Sequence, residues 1–275
     1  MFHRSASRAD ALSIHFKSTR SRLWLATIHC MMTDPAKQYG LSAIPADQSK
    51  LSPATKTPRP VAAQNLKPPK TPFCSRINEY TKVELSADTY RHSLRVYSYG
   101  VAIAQECFPE WGLEKGGKLD ETWFACAMLH DIGTTDKNIS STRLSYEFFA
   151  GYLALDLLQN GQEDAVATQD QAESVAEAII RHQDVQPVGS ITLLTGLIHF
   201  GTLLDNIGAG SHLIHPETIA NVVAEYPRRG WSGCFRNTVE TEKKLKPYAM
   251  VSRIDGFEEK IENNGRGGVT GKYDQ

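Results

Sequence analysis

The sequence predicts an all-α protein, and three observations predict it. From residue 78 onward, apolar residues recur at spacings of three and four. Helix start and stop residues bound each apolar stretch, among them Ser86, Asp120, Gly133 and the pair Asn160-Gly161. No run alternates apolar and polar residues in the manner of a half-buried strand, so little or no sheet is expected.

Residues 1–30 differ from the rest. They carry Arg4, Arg8, Lys17, Arg20 and Arg22 against one acid, Asp10, and are rich in serine. That is the composition of a mitochondrial transit peptide, and equally of an unstructured extension ahead of a start at Met31 or Met32. Seven of the 13 prolines then fall between Pro45 and Pro72, a density no packed helix tolerates, so this stretch is expected to be extended. The expected organisation is a basic extension over 1–37, a proline-rich segment over 38–77, a helical catalytic domain over 78–263 and a loose, Gly-rich tail over 264–275.

Within the helical part, Ser86 reads as the N-cap of a helix that runs to about Cys107 and stops before Pro109. His92, Val96, Tyr99 and Ile103 lie on one of its faces. A second helix is expected after Asp120 as its cap; apolar nearly all round and ending near Gly133, it should be central. Further helices are expected over 146–159, 171–183, 191–207, 217–226 and, more weakly, 254–263.

Composition narrows the function. The 275 residues are 41% hydrophobic with a net charge of -1, which gives no electrostatic case for a nucleic acid or an anionic membrane as partner. No apolar run approaches the roughly 20 residues of a membrane-spanning helix. The five cysteines are scattered without a C-x-x-C pair, and Cys107 and Cys126 sit in apolar helical text. This favours a reducing compartment such as the cytoplasm, or the mitochondrion if the basic extension acts as a leader.

Two apolar helices carry ionisable groups where the pattern calls for apolar ones: His130-Asp131 ends one, and Asp205 lies in Leu203-Leu204-Asp205-Asn206-Ile207 of another. An unpaired buried carboxylate is costly, and one metal ion supplies a partner for both. Imidazole and carboxylate together suit a divalent transition metal such as Zn, Mn or Fe(II). A His in one helix, His-Asp closing the next and Asp deep in a later one form an order that resembles the HD-domain superfamily of helical metalloenzymes, from about residue 88 to 205.

Longer words surround this frame: Tyr39-Gly40-Leu41-Ser42-Ala43-Ile44-Pro45, Ser141-Thr142-Arg143-Leu144-Ser145, Ala178-Ile179-Ile180-Arg181-His182-Gln183-Asp184, Thr202-Leu203-Leu204-Asp205-Asn206-Ile207-Gly208 and Tyr226-Pro227-Arg228-Arg229-Gly230-Trp231, then Lys246-Pro247-Tyr248. Together they resemble the fungal cyanamide hydratases, an HD-type family that adds water to cyanamide to give urea. The resemblance implies one divalent metal, zinc foremost, on His92, His130, Asp131 and Asp205, with His182 and Thr202 lining the substrate pocket. It also implies a small-molecule substrate, with a homo-oligomer compatible. Thr202 falls three residues before Asp205, on nearly the same helix face, and His182 lies at the edge of an inward face. The competing expectations are a hydroxyl bonded to its own helix for Thr202 and a capping role for His182. His199 points away from Asp205 and reads as structural, while Arg143 and Trp231 are candidates for shaping the pocket. A phosphohydrolase acting on a nucleotide or phosphodiester, a hydratase of another small nitrile or isonitrile, and a binding protein on the same frame are the alternatives.

Overall fold

The computed structural model describes residues 34–161 and 165–275; Arg4, Arg8, Lys17, Arg20 and Arg22 of the expected extension lie outside them. The protein is all-α. Among the described residues there are eleven helices: α1 Pro35–Gln38, α2 Pro72–Glu84, α3 Ala87–Cys107, α4 Lys118–Leu129, α5 Asp136–Ser141, α6 Tyr146–Gln159, α7 Gln169–Ile180, α8 Leu193–Ile207, α9 Pro216–Glu225, α10 Trp231–Leu245 and α11 Phe257–Gly265. Two three-residue strands, β1 Ala43–Pro45 and β2 Ser190–Thr192, pair antiparallel with Ile44 opposite Ile191. None of the described helices is long and apolar enough to cross a membrane.

The centre is built from α3, α4 and α8. Ser86 caps α3 as its type predicts, its hydroxyl accepting from the Thr89 amide. Helix α4 is buried nearly all round and has no exposed residue beyond Lys118. It starts earlier than expected, because Asp120 is not its cap. Asp120 is buried inside the first turn, where its carboxylate accepts from the Tyr97 hydroxyl at 2.7 Å and the Gly116 amide at 2.8 Å. It also ends earlier, at Leu129, and a 3-10 turn over Ile132–Thr134 follows. Gly133 permits a close approach there: a Cβ on it would lie 2.2 Å from the Tyr146 carbonyl oxygen. Any side chain would therefore push the turn bearing Asp131 away from the start of α6.

The proline-rich stretch wraps the bundle as extended chain. Val61 and Leu66 are buried, and the Val61 amide donates to the Thr218 hydroxyl of α9 at 2.8 Å. Helix α2 begins inside the segment expected to be extended. Thr71 caps it and Pro72 occupies its first turn, where a missing N–H costs nothing. Ile191 belongs to β2, so α8 starts at Leu193.

Two C-terminal features differ from the expectation. Helix α10 was not expected, because only Trp231, Phe235 and Val239 mark its inward face, a narrow stripe in a polar helix. The Gly-rich end, expected to be loose, packs on α8. The Thr270 hydroxyl donates toward the Asp205 carbonyl at 3.0 Å, and Asp274 accepts from Arg228. The Thr270 contact satisfies a carbonyl that the C-terminus of α8 leaves without a helical partner.

Candidate metal centre

Helix α3 supplies His92, and the end of α4 supplies His130 and Asp131. All three are buried, and their ligating atoms lie within 4.8 Å of one another. His130 Nε2 stands 3.3 Å from His92 Nε2 and 3.2 Å from Asp131 Oδ2; His92 Nε2 stands 3.7 Å from the same oxygen. Ligands at ordinary zinc bond lengths in a tetrahedron are about 3.4 Å apart.

The tautomers show why a cation fits between them. His130 Nδ1 lies 2.8 Å from the Ala127 carbonyl, and His92 Nδ1 lies 2.6 Å from Asp205 Oδ2. Carbonyl and carboxylate oxygens only accept, so both Nδ1 atoms carry the proton. In the neutral rings both Nε2 atoms therefore present lone pairs to each other and to the Asp131 carboxylate, and Asp131 Oδ1 has no hydrogen-bond partner. Three buried acceptors facing one point, with second nitrogens held by oxygen, is the donor set of a histidine-carboxylate metal site. The electrostatics call for a positive charge between His130 and Asp131 and leave His92 neutral. Burial holds the His92 pKa down to about 4, which keeps the ring neutral. Burial also works against charge on His130, but the adjoining Asp131 carboxylate outweighs it and raises the pKa. For Asp131, burial is outweighed by His130 and His92, and the carboxyl is held below its usual range.

Asp205, expected among the ligands, stands apart from this cluster on the other edge of the His92 ring. Arg95 Nε lies 3.0 Å from its Oδ1 and Arg95 Nη2 lies 2.9 Å from its Oδ2, while Arg228 Nη1 donates to Oδ1 at 2.7 Å. Burial alone would raise its pKa, but the two guanidinium groups hold it far below the usual carboxylate range. Both arginines are fully buried. Sequence reasoning missed them, although Arg95 lies three residues after His92 and so on the same face of α3. Arg229 adopts φ 49 and Gly230 φ 78, a left-handed turn between Arg228 and the first residue of α10, Trp231. The Trp231 ring stacks on His92 at 4.2 Å and its Nε1 donates to Asn206 Oδ1 at 2.8 Å.

His182, just beyond α7, reaches the same place. Its Nδ1–H donates to the Ile179 carbonyl at 2.7 Å, leaving the Nε2 lone pair 3.3 Å from the Tyr146 hydroxyl and 3.9 Å from Asp131 Oδ1. Burial brings its pKa down to about 3, so the ring is neutral. Tyr146 accepts from Gln183 Nε2 at 2.8 Å, which directs its own proton to His182. Thr202 is buried and its hydroxyl donates to the Ile198 carbonyl at 2.7 Å. His199 Nε2 lies 2.9 Å from the Arg181 carbonyl, as befits a structural histidine. Arg143 is exposed.

No family model matches the chain. It is, however, 38% identical over 225 residues to cyanamide hydratase DDI2 of Saccharomyces cerevisiae, and by the same measure to cyanamide hydratase DDI3 of that yeast. Each alignment covers 82% of this chain and 96% of the relative. Together with the all-helical fold and the buried histidine-carboxylate cluster, this similarity shows that the chain belongs to the cyanamide hydratase family.

Proposed function

We propose that this chain is a hydro-lyase that adds water to cyanamide to give urea, using one divalent metal ion, zinc foremost, held by His92, His130 and Asp131. The observation that carries the reading is the convergence of two buried Nε2 atoms and a carboxylate oxygen within 3.2–3.7 Å of one another. The yeast relatives' names supply the substrate. When bound, the ion lowers the pKa of water and polarises a nitrile.

The remaining chemistry falls to the chain. His182, neutral with its lone pair on Nε2, takes up the proton that water releases as its oxygen bonds to the nitrile carbon, through the Tyr146 hydroxyl, whose oxygen accepts that proton while its own passes to Nε2. The imidazolium then returns a proton to the nitrile nitrogen. The product is isourea, in which the carbon carries one hydroxyl, one amino and one imino group, and it tautomerises to urea. Atoms balance, and the ring ends as it began. Thr202 has committed its proton to Ile198, so its oxygen serves as an acceptor for the substrate amino group. Asp205 aims His92 from behind rather than binding the ion, in the manner of a carboxylate-histidine-metal relay.

A phosphoester substrate needs cations free to meet phosphate. The fully buried guanidinium groups at the site, Arg95 and Arg228, are both engaged with Asp205, which favours the uncharged nitrile. The test is urea formation from cyanamide by the zinc-loaded protein, with His130→Ala as control. Urea from the parent alone supports the reading; a folded, zinc-bearing parent that forms none refutes cyanamide as substrate.

A further inference from the structure

Every group assigned to the reaction is buried: His92 is 0% exposed, His130 1%, Asp131 2% and His182 1%. Substrate therefore needs an opening. A cavity of about 510 Å³ lies against the outer ends of the elements that carry the site. Three of its wall residues each stand one turn from a residue of the centre. Thr89 precedes His92 by three positions on α3, and so shares its face. Thr134 follows Asp131 by three, and its hydroxyl donates to the Asp131 carbonyl at 2.7 Å. Cys234 follows Trp231 by three on α10, one turn beyond the ring that stacks on His92. A second cavity touches α3 through Tyr90 and Leu94, each two residues from His92 and hence on the opposite face.

We propose that the cavity walled by Thr89, Thr134, Cys234, Asn237 and Thr238 is the vestibule through which a small polar nitrile reaches the metal centre. This rests on the hydratase reading above. The lining chemistry fits the passenger. The hydroxyls and amide of the wall both donate and accept, Glu84, Asp136 and Lys137 add charged groups to it, and cyanamide offers amino donors at one end and a nitrile acceptor at the other. The wall also adjoins the centre electrically: burial raises the Cys234 thiol pKa, and the Asp88 and Asp131 carboxylates raise it further. Cyanamide, with three heavy atoms, is small against this volume, so the vestibule admits larger molecules than the substrate.

Cys234 makes the vestibule testable in the folded enzyme, because it is half-buried while Cys74, Cys107 and Cys126 are buried. Burial pushes the Cys74 thiol up to about 12 and the Cys107 thiol up to about 11. Cys30, outside the described residues, is replaced by Cys30→Ser. The zinc-loaded protein is treated at about pH 8.5, near the ordinary thiol pKa, with methyl or benzyl methanethiosulfonate. The thiolate displaces methanesulfinate and gains a small or a bulky thio group.

The benzyl adduct is expected to lower kcat/KM for cyanamide about tenfold or more, and the methyl adduct less, with zinc content unchanged. The Cys234→Ser protein, whatever its own rate, should lose none of it to either reagent. Complete modification with an unchanged kcat/KM overturns the proposal. So does resistance of the folded protein to both reagents, because the cavity then admits nothing. If the parent forms no urea, the hydratase reading fails by itself. The vestibule is then judged by zinc uptake into the metal-free protein: slower uptake in the benzyl adduct supports it, and an unchanged rate overturns it.

Discussion

His92 Nδ1 and Asp205 Oδ2 stand 2.6 Å apart, so a ring that faces the candidate metal centre is aimed from behind by a carboxylate that Arg95 and Arg228 hold in place. Replacing Asp205 by Asn keeps the size but leaves the buried Arg95 guanidinium without its carboxylate and Arg228 with Asp274 alone. Breaking a buried charge network in this way costs about 3–5 kcal/mol. Loss of the partner that orients a ligand histidine lowers metal affinity about 10–100-fold. Denaturant unfolding and zinc competition against a chelator measure the two effects. A variant that binds zinc as tightly as the parent contradicts the orienting role.

Asp131→Asn separates holding the metal from holding the fold. In the parent, Asp131 Oδ1 lacks a partner and Oδ2 faces two lone pairs. The amide of Asn donates to a neutral His130 Nε2, so the ring keeps a partner in the variant while the anionic oxygen that a metal needs is gone. Zinc content should fall about tenfold or more, and urea formation should fall with it. Elemental analysis after dialysis against a weak chelator is the readout, and full zinc retention by the variant counts against Asp131 as a ligand.

How much of this was legible depended on whether the signal was local. Ser86 and the 3-4 spacing after it located α3 to the residue, because cap and periodicity act within one turn. His130-Asp131 stood out as charge at the end of an apolar helix. Arg95 carried the same signal, an ionisable group on the inward face of α3, and was passed over. What Asp205 does was not legible. It depends on Arg228, which lies 23 residues further along the chain and is turned inward by the left-handed Arg229-Gly230 step. The packing of the Gly-rich end was hidden for the same reason: Asn264 and Thr270 find their partners at the end of α8, about sixty residues earlier in the chain. Asp120 failed as a cap because Tyr97, 23 residues away, draws its carboxylate into the core.

Tyr146 was not read as a site residue, yet its hydroxyl joins Gln183 to His182. Tyr146→Phe removes the donor that faces His182 Nε2 and leaves the Gln183 amide without its acceptor. A stability loss of about 1 kcal/mol is expected from the hydrogen bonds. A fall in kcat of roughly tenfold or more is expected from the loosened ring, with KM changed less. Steady-state kinetics with cyanamide, beside the melting temperature, check this. A stability loss with unaltered kcat would reduce Tyr146 to a packing residue.

Glu147, beside Tyr146 at the start of α6, is fully buried with neither carboxylate oxygen hydrogen-bonded. Burial pushes its pKa up to about 8, and the Glu242 and Asp131 carboxylates add to this while Lys246 opposes it. In the unfolded chain it titrates near 4.5. Between these values the folded state binds the extra proton, so stability falls as pH rises, by about 1.4 kcal/mol per pH unit. The contribution is present in full below the unfolded pKa and is lost once the pH passes the folded one. Glu147→Gln removes the titration. Its unfolding free energy should therefore be flatter than the parent's between about pH 5 and pH 8, with the largest gain over the parent at the alkaline end. Denaturant unfolding across that range decides it: parallel curves for the two proteins would mean that Glu147 is already ionised in the folded enzyme.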